Sequence, residues 1–218
     1  MEPVFGLPVA PAGKYKFDPD LPPSNPSPYD DEFDETGLKP KWSLFNISTA
    51  TVDVNTTVPH ALCINNLPSG NDAVRGVIQS VPLRDWAITC KCLSVNRFSN
   101  CAVYGLFVTA DSSGSSRLDT ITRVWNASWR NEAGYFSNQN AWGGSQLLID
   151  LGYAFRYLRI RWVSSTLYKE VSEDGSIWFT AWSGSVGYTP AFFGLFGNNV
   201  NTGSVMSCAF DWIRLKFL

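Results

Sequence analysis

Few residues in this chain could carry covalent chemistry. His60 is the only histidine, so a triad with a spare base cannot form, nor can a histidine-rich zinc site. Cys90-x-Cys92 could suggest metal binding, but both cysteines share a strand face with Trp86 and Ile88, where a free thiol acts as a small apolar side chain. The acidic run Asp30-Asp31-Glu32 with Asp34 offers hard oxygen ligands that suit calcium; otherwise it is a charged strand edge that discourages pairing. No other cofactor is expected. What the chain does hold is aromatic surface. Sugar rings stack on such side chains, and Trp125, Trp129, Tyr135, Phe136, Trp142, Tyr157 and Tyr188 are the candidates, with Arg159, Arg161, Asn138 and Asn140 as polar partners. The competing expectation is that these rings fill a core or an assembly interface. Trp42, Trp86, Trp162 and Trp178 are assigned to the core.

The elements that would position these groups are strands. In Arg156–Trp162 polar and apolar residues alternate, with Leu158, Ile160 and Trp162 facing one way and Tyr157, Arg159 and Arg161 the other. Ser164-Ser165 breaks the run, Thr166–Ser172 follows as a second strand, and Glu173-Asp174-Gly175-Ser176 makes a tight turn. Ile177–Trp182 is the third strand, with Trp178, Thr180 and Trp182 expected on one face. Upstream, Asp30–Phe33 and Trp42–Ile47 read as the first strands. Arg84–Val95 alternates and Ala102–Thr109 returns as its partner. Asp119–Trp129 reads as one strand with Arg123, Trp125 and Trp129 together, and Asn131–Gly144 as a long functional or interface loop. Strand signals every 8–12 residues, with no amphipathic helix, indicate an all-β antiparallel sandwich.

Three motifs in order carry a resemblance. Asp30-Asp31-Glu32-Phe33-Asp34 with Gly37-Leu38-Lys39-Pro40-Lys41-Trp42 resembles an opening "DEFDG-x-LDPKW". The meander with its Ser172–Trp178 turn resembles "lRIr … S-x-DG-x-x-W". Phe193–Phe196 and Ala209–Leu215 resemble a closing "vGLf … a-FDyirv". Together they resemble the concanavalin A-like lectin/glucanase superfamily in its bacterial and phage branch, over residues 29–218. The resemblance implies a jelly-roll β-sandwich. The glucanases of that superfamily carry E-x-D-x-x-E on a central strand, placing acid and nucleophile on one face. Here Glu32-Phe33-Asp34 is the near match, Gly37 stands at the third acid position, and no catalytic residue is expected.

Bulk composition narrows the partners. The chain has 218 residues, 44% of them hydrophobic and 17% charged, with net charge −2. No basic run suggests nucleic acid, and no apolar run approaches a membrane span. Five cysteines, an odd number, and an N-terminus unlike a secretory signal favour free thiols in a cytosolic chain. The sequons at Asn46, Asn55 and Asn126 are then chance matches. Residues 1–28 form a separate Pro-rich, extended arm. Phe5, Leu7, Tyr15, Phe17 and Leu21 are its docking candidates, against either a neighbouring subunit or its own sandwich. These features lead to an expectation: a non-enzymatic phage virion protein, either capsid decoration or a head or tail fibre component. It would be made in the host cytoplasm, with other virion proteins and copies of itself as partners. A carbohydrate-binding adhesin for cell-surface glycans is the alternative, and a glycoside hydrolase the less favoured one.

Overall fold

A computed structural model describes residues 18–70, 72–96, 101–200 and 205–218. Its described residues build an all-β sandwich of two antiparallel sheets with seven strands each. The first sheet runs, edge to edge, β1 (Ser43–Phe45), β4 (Arg75–Ser80), β13 (Phe192–Asn199), β6 (Ala102–Thr109), β7 (Leu118–Asn126), β8 (Ser128–Asn138) and β9 (Ala141–Ile149). The second runs β12 (Phe179–Gly184), β11 (Thr166–Ser172), β10 (Tyr157–Val163), β5 (Trp86–Asn96), β14 (Met206–Phe217), β3 (Leu62–Leu67) and β2 (Thr51–Val54).

The meander is present as β10–β11–β12. Its first turn holds Ser164 and Ser165 at φ of 48° and 63°, the left-handed pair that a two-residue hairpin needs. Leu158, Ile160 and Trp162 face the core, while Arg159 and Arg161 stand on the outer face. The third strand departs from its expected pattern. It begins at Phe179, and a bulge sets Lys169 opposite Trp182 but Glu170 opposite Thr180. The extra residue reverses side-chain parity. Thr180 therefore reaches outward to Glu170, while Trp182 lies within 4.9 Å of the Lys169 ammonium.

Four other expectations are corrected. β5 and β6 are not partners: β5 pairs with β10 and β14, and β6 with β13 and β7. Two runs that both alternate give no signal for which sheet each joins. Asp119–Trp129 is two strands, turned at Ala127 with φ 60° so that Trp125 sits opposite Trp129. Asn131–Gly144 is a hairpin of β8 and β9, its pairing interrupted by three register shifts that blur the alternation. Asp30–Phe33 is a single bridge, Asp31 to Ile213.

The main core lies between the sheets, around Trp86, Tyr104, Leu106, Ile121, Leu158, Phe193 and Phe210. A second cluster on the outer face of the first sheet contains Phe45, Phe107, Phe136 and Phe196. It is closed because the sheet's two edges meet over it: Asn46, just past β1, donates to Asn140 Oδ1 at 2.9 Å, next to β9.

One buried charge pair ties the sheets together. Lys169 Nζ, on the inner face of β11, donates to Asp119 Oδ1 on β7 at 2.8 Å, to Gly134 O at 2.6 Å and to Gln146. Asp119 also accepts from Arg117 at 2.8 Å and from Tyr188 OH at 3.0 Å. Burial pushes the Lys169 ammonium down to about 8, against the pull of Asp119. Removing one partner of such a pair costs about 3–5 kcal/mol because the other charge is left buried alone. Asp119→Ala is expected to lose stability in that range in urea unfolding. Lys169→Met should lose less, since Asp119 keeps Arg117 and Tyr188.

Candidate functional site

The outer face of the second sheet carries the site. Cross-strand register on β10, β5 and β14 sets out three rows: Tyr157–Lys91–Trp212, Arg159–Thr89–Arg214 and Arg161–Ala87–Lys216. The rows follow from period-two alternation, which sends Leu158, Ile88, Cys90 and Ile213 inward and their neighbours outward. Over this face lies the described part of the arm. Arg214 donates to Pro19 O, and Tyr157 OH donates to Asp20 Oδ1 at 3.0 Å. Between arm and sheet opens a groove of about 800 Å³, lined on one side by Pro19, Pro23, Asn25 and Asp30 and on the other by Arg159, Trp178, Trp212, Arg214 and Phe217.

Trp178 stands in this groove and not in the core, because it belongs to the turn before β12 and not to the strand. Asp174 shapes that turn by accepting the backbone N–H groups of Ser176 and Ile177, each at 2.9 Å. Those bonds hold its carboxyl below the usual range. Gly175 takes φ 69° there, and the Trp178 indole N–H donates to Gly175 O at 3.1 Å. The Arg159 guanidinium lies 3.9 Å from the Trp178 ring centre, within cation–π range. The wall of the groove is therefore an aromatic plate braced by a cation.

The carboxylates near this face are all engaged by protein groups. Glu170, 2% exposed, receives Arg159 Nε at 2.5 Å and both Arg161 Nε at 2.8 Å and Arg161 Nη2 at 2.7 Å. Burial would raise its pKa, but the two guanidinium groups hold it below the usual carboxylate value. Glu32 takes a bidentate Arg214 at 2.7 Å to each oxygen. Asp20 sits on Lys91 at 2.9 Å and is likewise held low against its burial. The opening acidic motif is an anchor. Asp31, 3% exposed, accepts from Trp42 Nε1, Lys39 Nζ and Phe33 N, each at 3.0 Å. Asp30 accepts from Leu215 N at 2.7 Å, and Asp34 contacts His60 at 2.8 Å. This arrangement explains why that motif couples acids to the downstream Trp42.

The glycan candidates read from the sequence divide between places; of them, the structure brings Tyr157, Arg159 and Arg161 to the sheet face. Trp125 and Trp129 pack against each other with their ring planes tilted by 59°, 5.3 Å between ring centres, at the margin of the main core. Trp142 packs on Phe136 at 4.9 Å in the second cluster. Tyr135 lies under Arg117 at 4.1 Å, and Tyr188 bonds to the buried Asp119. Of the arm residues, Phe5, Leu7, Tyr15 and Phe17 lie outside the described residues, and Leu21 is 67% exposed. Sequence reasoning missed Trp178, Trp212, Lys91 and Arg214. Trp212 and Arg214 were detectable as alternate residues of the closing motif, and Lys91 as the residue that alternation turns away from Cys90 and Cys92. The cysteines themselves are free thiols, and Cys63, Cys90, Cys92 and Cys208 are buried.

No protein-family model matches the chain, and no curated protein matches it. Solved structures do. The Bacteroides ovatus xyloglucan PUL protein GH43B aligns with TM-score 0.65 and 17% identity over 92% of this chain and 42% of its own. A xylan β-1,4-xylosidase from Bacillus halodurans aligns with TM-score 0.64 and 18% identity over 91% of this chain and 41% of its own. A Bacillus licheniformis β-glucanase aligns with TM-score 0.56 and 13% identity over 90% of this chain and 100% of its own. The chain thus spans about two fifths of the first two enzymes, 42% and 41% of their lengths. At such identities the likeness establishes the fold alone, a concanavalin A-like jelly-roll sandwich. The expectation of a phage virion component, a capsid decoration or fibre protein, is withdrawn. The fold's neighbours over nine tenths of the chain are glycoside hydrolases, 92% and 91% for these two, and nothing among these neighbours supports a virion role.

The Glu170 clamp has a pH signature. Its folded pKa is lowered, so its contribution to stability is complete above its unfolded value of about 4.3 and is lost as pH falls through the lower folded value. Glu170→Gln should lower stability at neutral pH and flatten the acid limb, as read by urea unfolding between about pH 3 and 7.

Proposed function

We propose that this chain is a non-catalytic glycan-binding module, a lectin-like sandwich that holds polysaccharide in the groove between the arm and the second sheet. The observation that carries the reading is the groove itself. It is about 800 Å³, with the rings of Trp178, Trp212 and Phe217 beside the polar groups of Arg159, Arg214, Asn25 and Ser27. A concave site with apolar plates and a few convergent polar groups is the usual form of a small-ligand site. Sugars offer a matching pair of surfaces, an apolar C–H face and a hydroxyl rim.

The structural neighbours support carbohydrate as the ligand class, since their names are those of a xylosidase, a GH43 protein and a β-glucanase. Hydrolysis is the second reading, and the β-glucanase favours it because that enzyme is matched over 100% of its length. The carboxylates argue against it. A hydrolase needs one carboxyl with a raised pKa to donate a proton and a second free to attack or to activate water. Glu170 and Asp20 are both held low by cations, and Glu32 is occupied by Arg214. The acids at 30–34 are engaged by protein donors too, which supports binding by protein groups without a metal.

Affinity electrophoresis and calorimetry on xylan, arabinoxylan and β-glucan test the reading. Trp178→Ala should weaken binding by about thirtyfold, the size of a 2 kcal/mol hot spot, measured at a temperature where the variant remains folded. No reducing sugar should be released above the buffer rate. Release of sugar that Glu170→Gln abolishes would replace the binding reading with the hydrolytic one.

A further inference from the structure

The sheet face under the arm is built for an anion. Its three rows place five cations on three adjacent strands: Lys91 on β5, Arg159 and Arg161 on β10, and Arg214 and Lys216 on β14. Within the sheet, Glu170 answers Arg159 and Arg161, and Asp211 contacts Lys91 at 2.8 Å. The remaining counter-charges come from the N-terminal segment, as Asp20 on Lys91 at 2.9 Å and Glu32 on Arg214 at 2.7 Å.

Asp20 shows what the face accepts. Its carboxylate rests on the first row, taking Tyr157 OH at 3.0 Å and Lys91 Nζ at 2.9 Å. The third member of that row is Trp212, 4% exposed, whose indole N–H has no hydrogen-bond partner. An ammonium and a phenol thus converge on one carboxylate, next to a buried indole N–H that has no partner and beside the groove that Pro19 and Trp212 line. The anion that fills this cradle is itself 45% exposed at its side chain, on a stretch whose backbone Arg214 holds through Pro19 O and Asp20 O, so a ligand's carboxylate can reach and displace it.

We infer that the groove selects acidic polysaccharide. A uronate carboxylate takes the place of Asp20 on Lys91, Tyr157 and Trp212, while the sugar rings lie along Trp178, so Asp20 is a built-in competitor for the ligand's charge. The inference rests on the glycan-binding reading above and adds the ligand's class to it. A cradle that pairs an ammonium with neutral donors rewards a ligand carboxylate, while against a neutral sugar it stays filled by Asp20 and adds nothing to binding, which is how specificity arises from polar groups.

The test uses the full chain, with glucuronoxylan and oligogalacturonate as probes, each beside its methyl-esterified form, in calorimetry at low and moderate salt. The acidic form should bind about tenfold or more tightly than its ester, and the difference should shrink with salt. Asp20→Ala removes the competitor and should tighten the acidic forms several-fold and widen the gap between acid and ester. Lys91→Met should abolish the acid preference, so that acid and ester bind alike. Asp20→Ala also covers the case in which Lys91→Met folds poorly. Equal binding of acid and ester, with both lost in Trp178→Ala, would overturn the acidic selectivity and leave the glycan reading standing. No binding of either form, or of neutral xylan, would overturn both.

Discussion

The sandwich depends on a charge pair that neither sheet could bury alone. Lys169 and Asp119 are both fully enclosed, and each is tolerable only because the other sheet brings its partner. Dispersion and apolar burial hold the two layers together but do so without direction. The ion pair adds direction: it requires β11 to stand over β7, and Gln146, Gly134, Tyr188 and Arg117 complete the shell of donors and acceptors. The bulge that brings Trp182 inward serves the same pair, since it lays the indole ring against the ammonium. On the other side of the strand the same bulge delivers Thr180 to Glu170. Interior lock and outer site are therefore set by a single register shift.

This double duty explains what was legible in the sequence. Strand content, the sandwich class, the β10–β11–β12 meander and the facing of Leu158, Ile160 and Trp162 all follow from period-two alternation, which reports a one-sided strand directly. The site was legible where the alternation is clean, at Tyr157, Arg159 and Arg161. It was hidden where the pattern is interrupted. Trp178 has the composition of a core residue and the parity of Trp182, but a turn and a bulge lie between that parity and its actual place. Nothing in the Thr166–Ser172 run marks Lys169 as interior, because its partner Asp119 is supplied by the other sheet. The Trp125–Trp129 pair looks like a binding stripe on one strand and is a cross-hairpin contact at the core margin.

The opening motif gains a physical meaning that its resemblance alone could not supply. Asp31 is the acceptor for the Trp42 indole, and its neighbours reach β14 through Leu215 N and Arg214. The motif thus welds the start of the sandwich to its final strand. A segment anchored so firmly at 30–34 emerges over the second sheet and nowhere else, which is why its preceding residues border the groove. Among the described residues, the outer side of the first sheet is filled by Phe45, Phe107, Phe136 and Phe196.

The buried thiols have a practical corollary. Burial drives the Cys63 thiol up to about 11 and those of Cys90 and Cys208 well above their ordinary value, and a protonated, enclosed sulfur does not react with alkylating reagents. Cys90 and Cys208 lie on strands at the centre of the second sheet, so they meet solvent only when the sandwich opens. Their modification rate is consequently a clock for global opening, wired into the molecule without any added label.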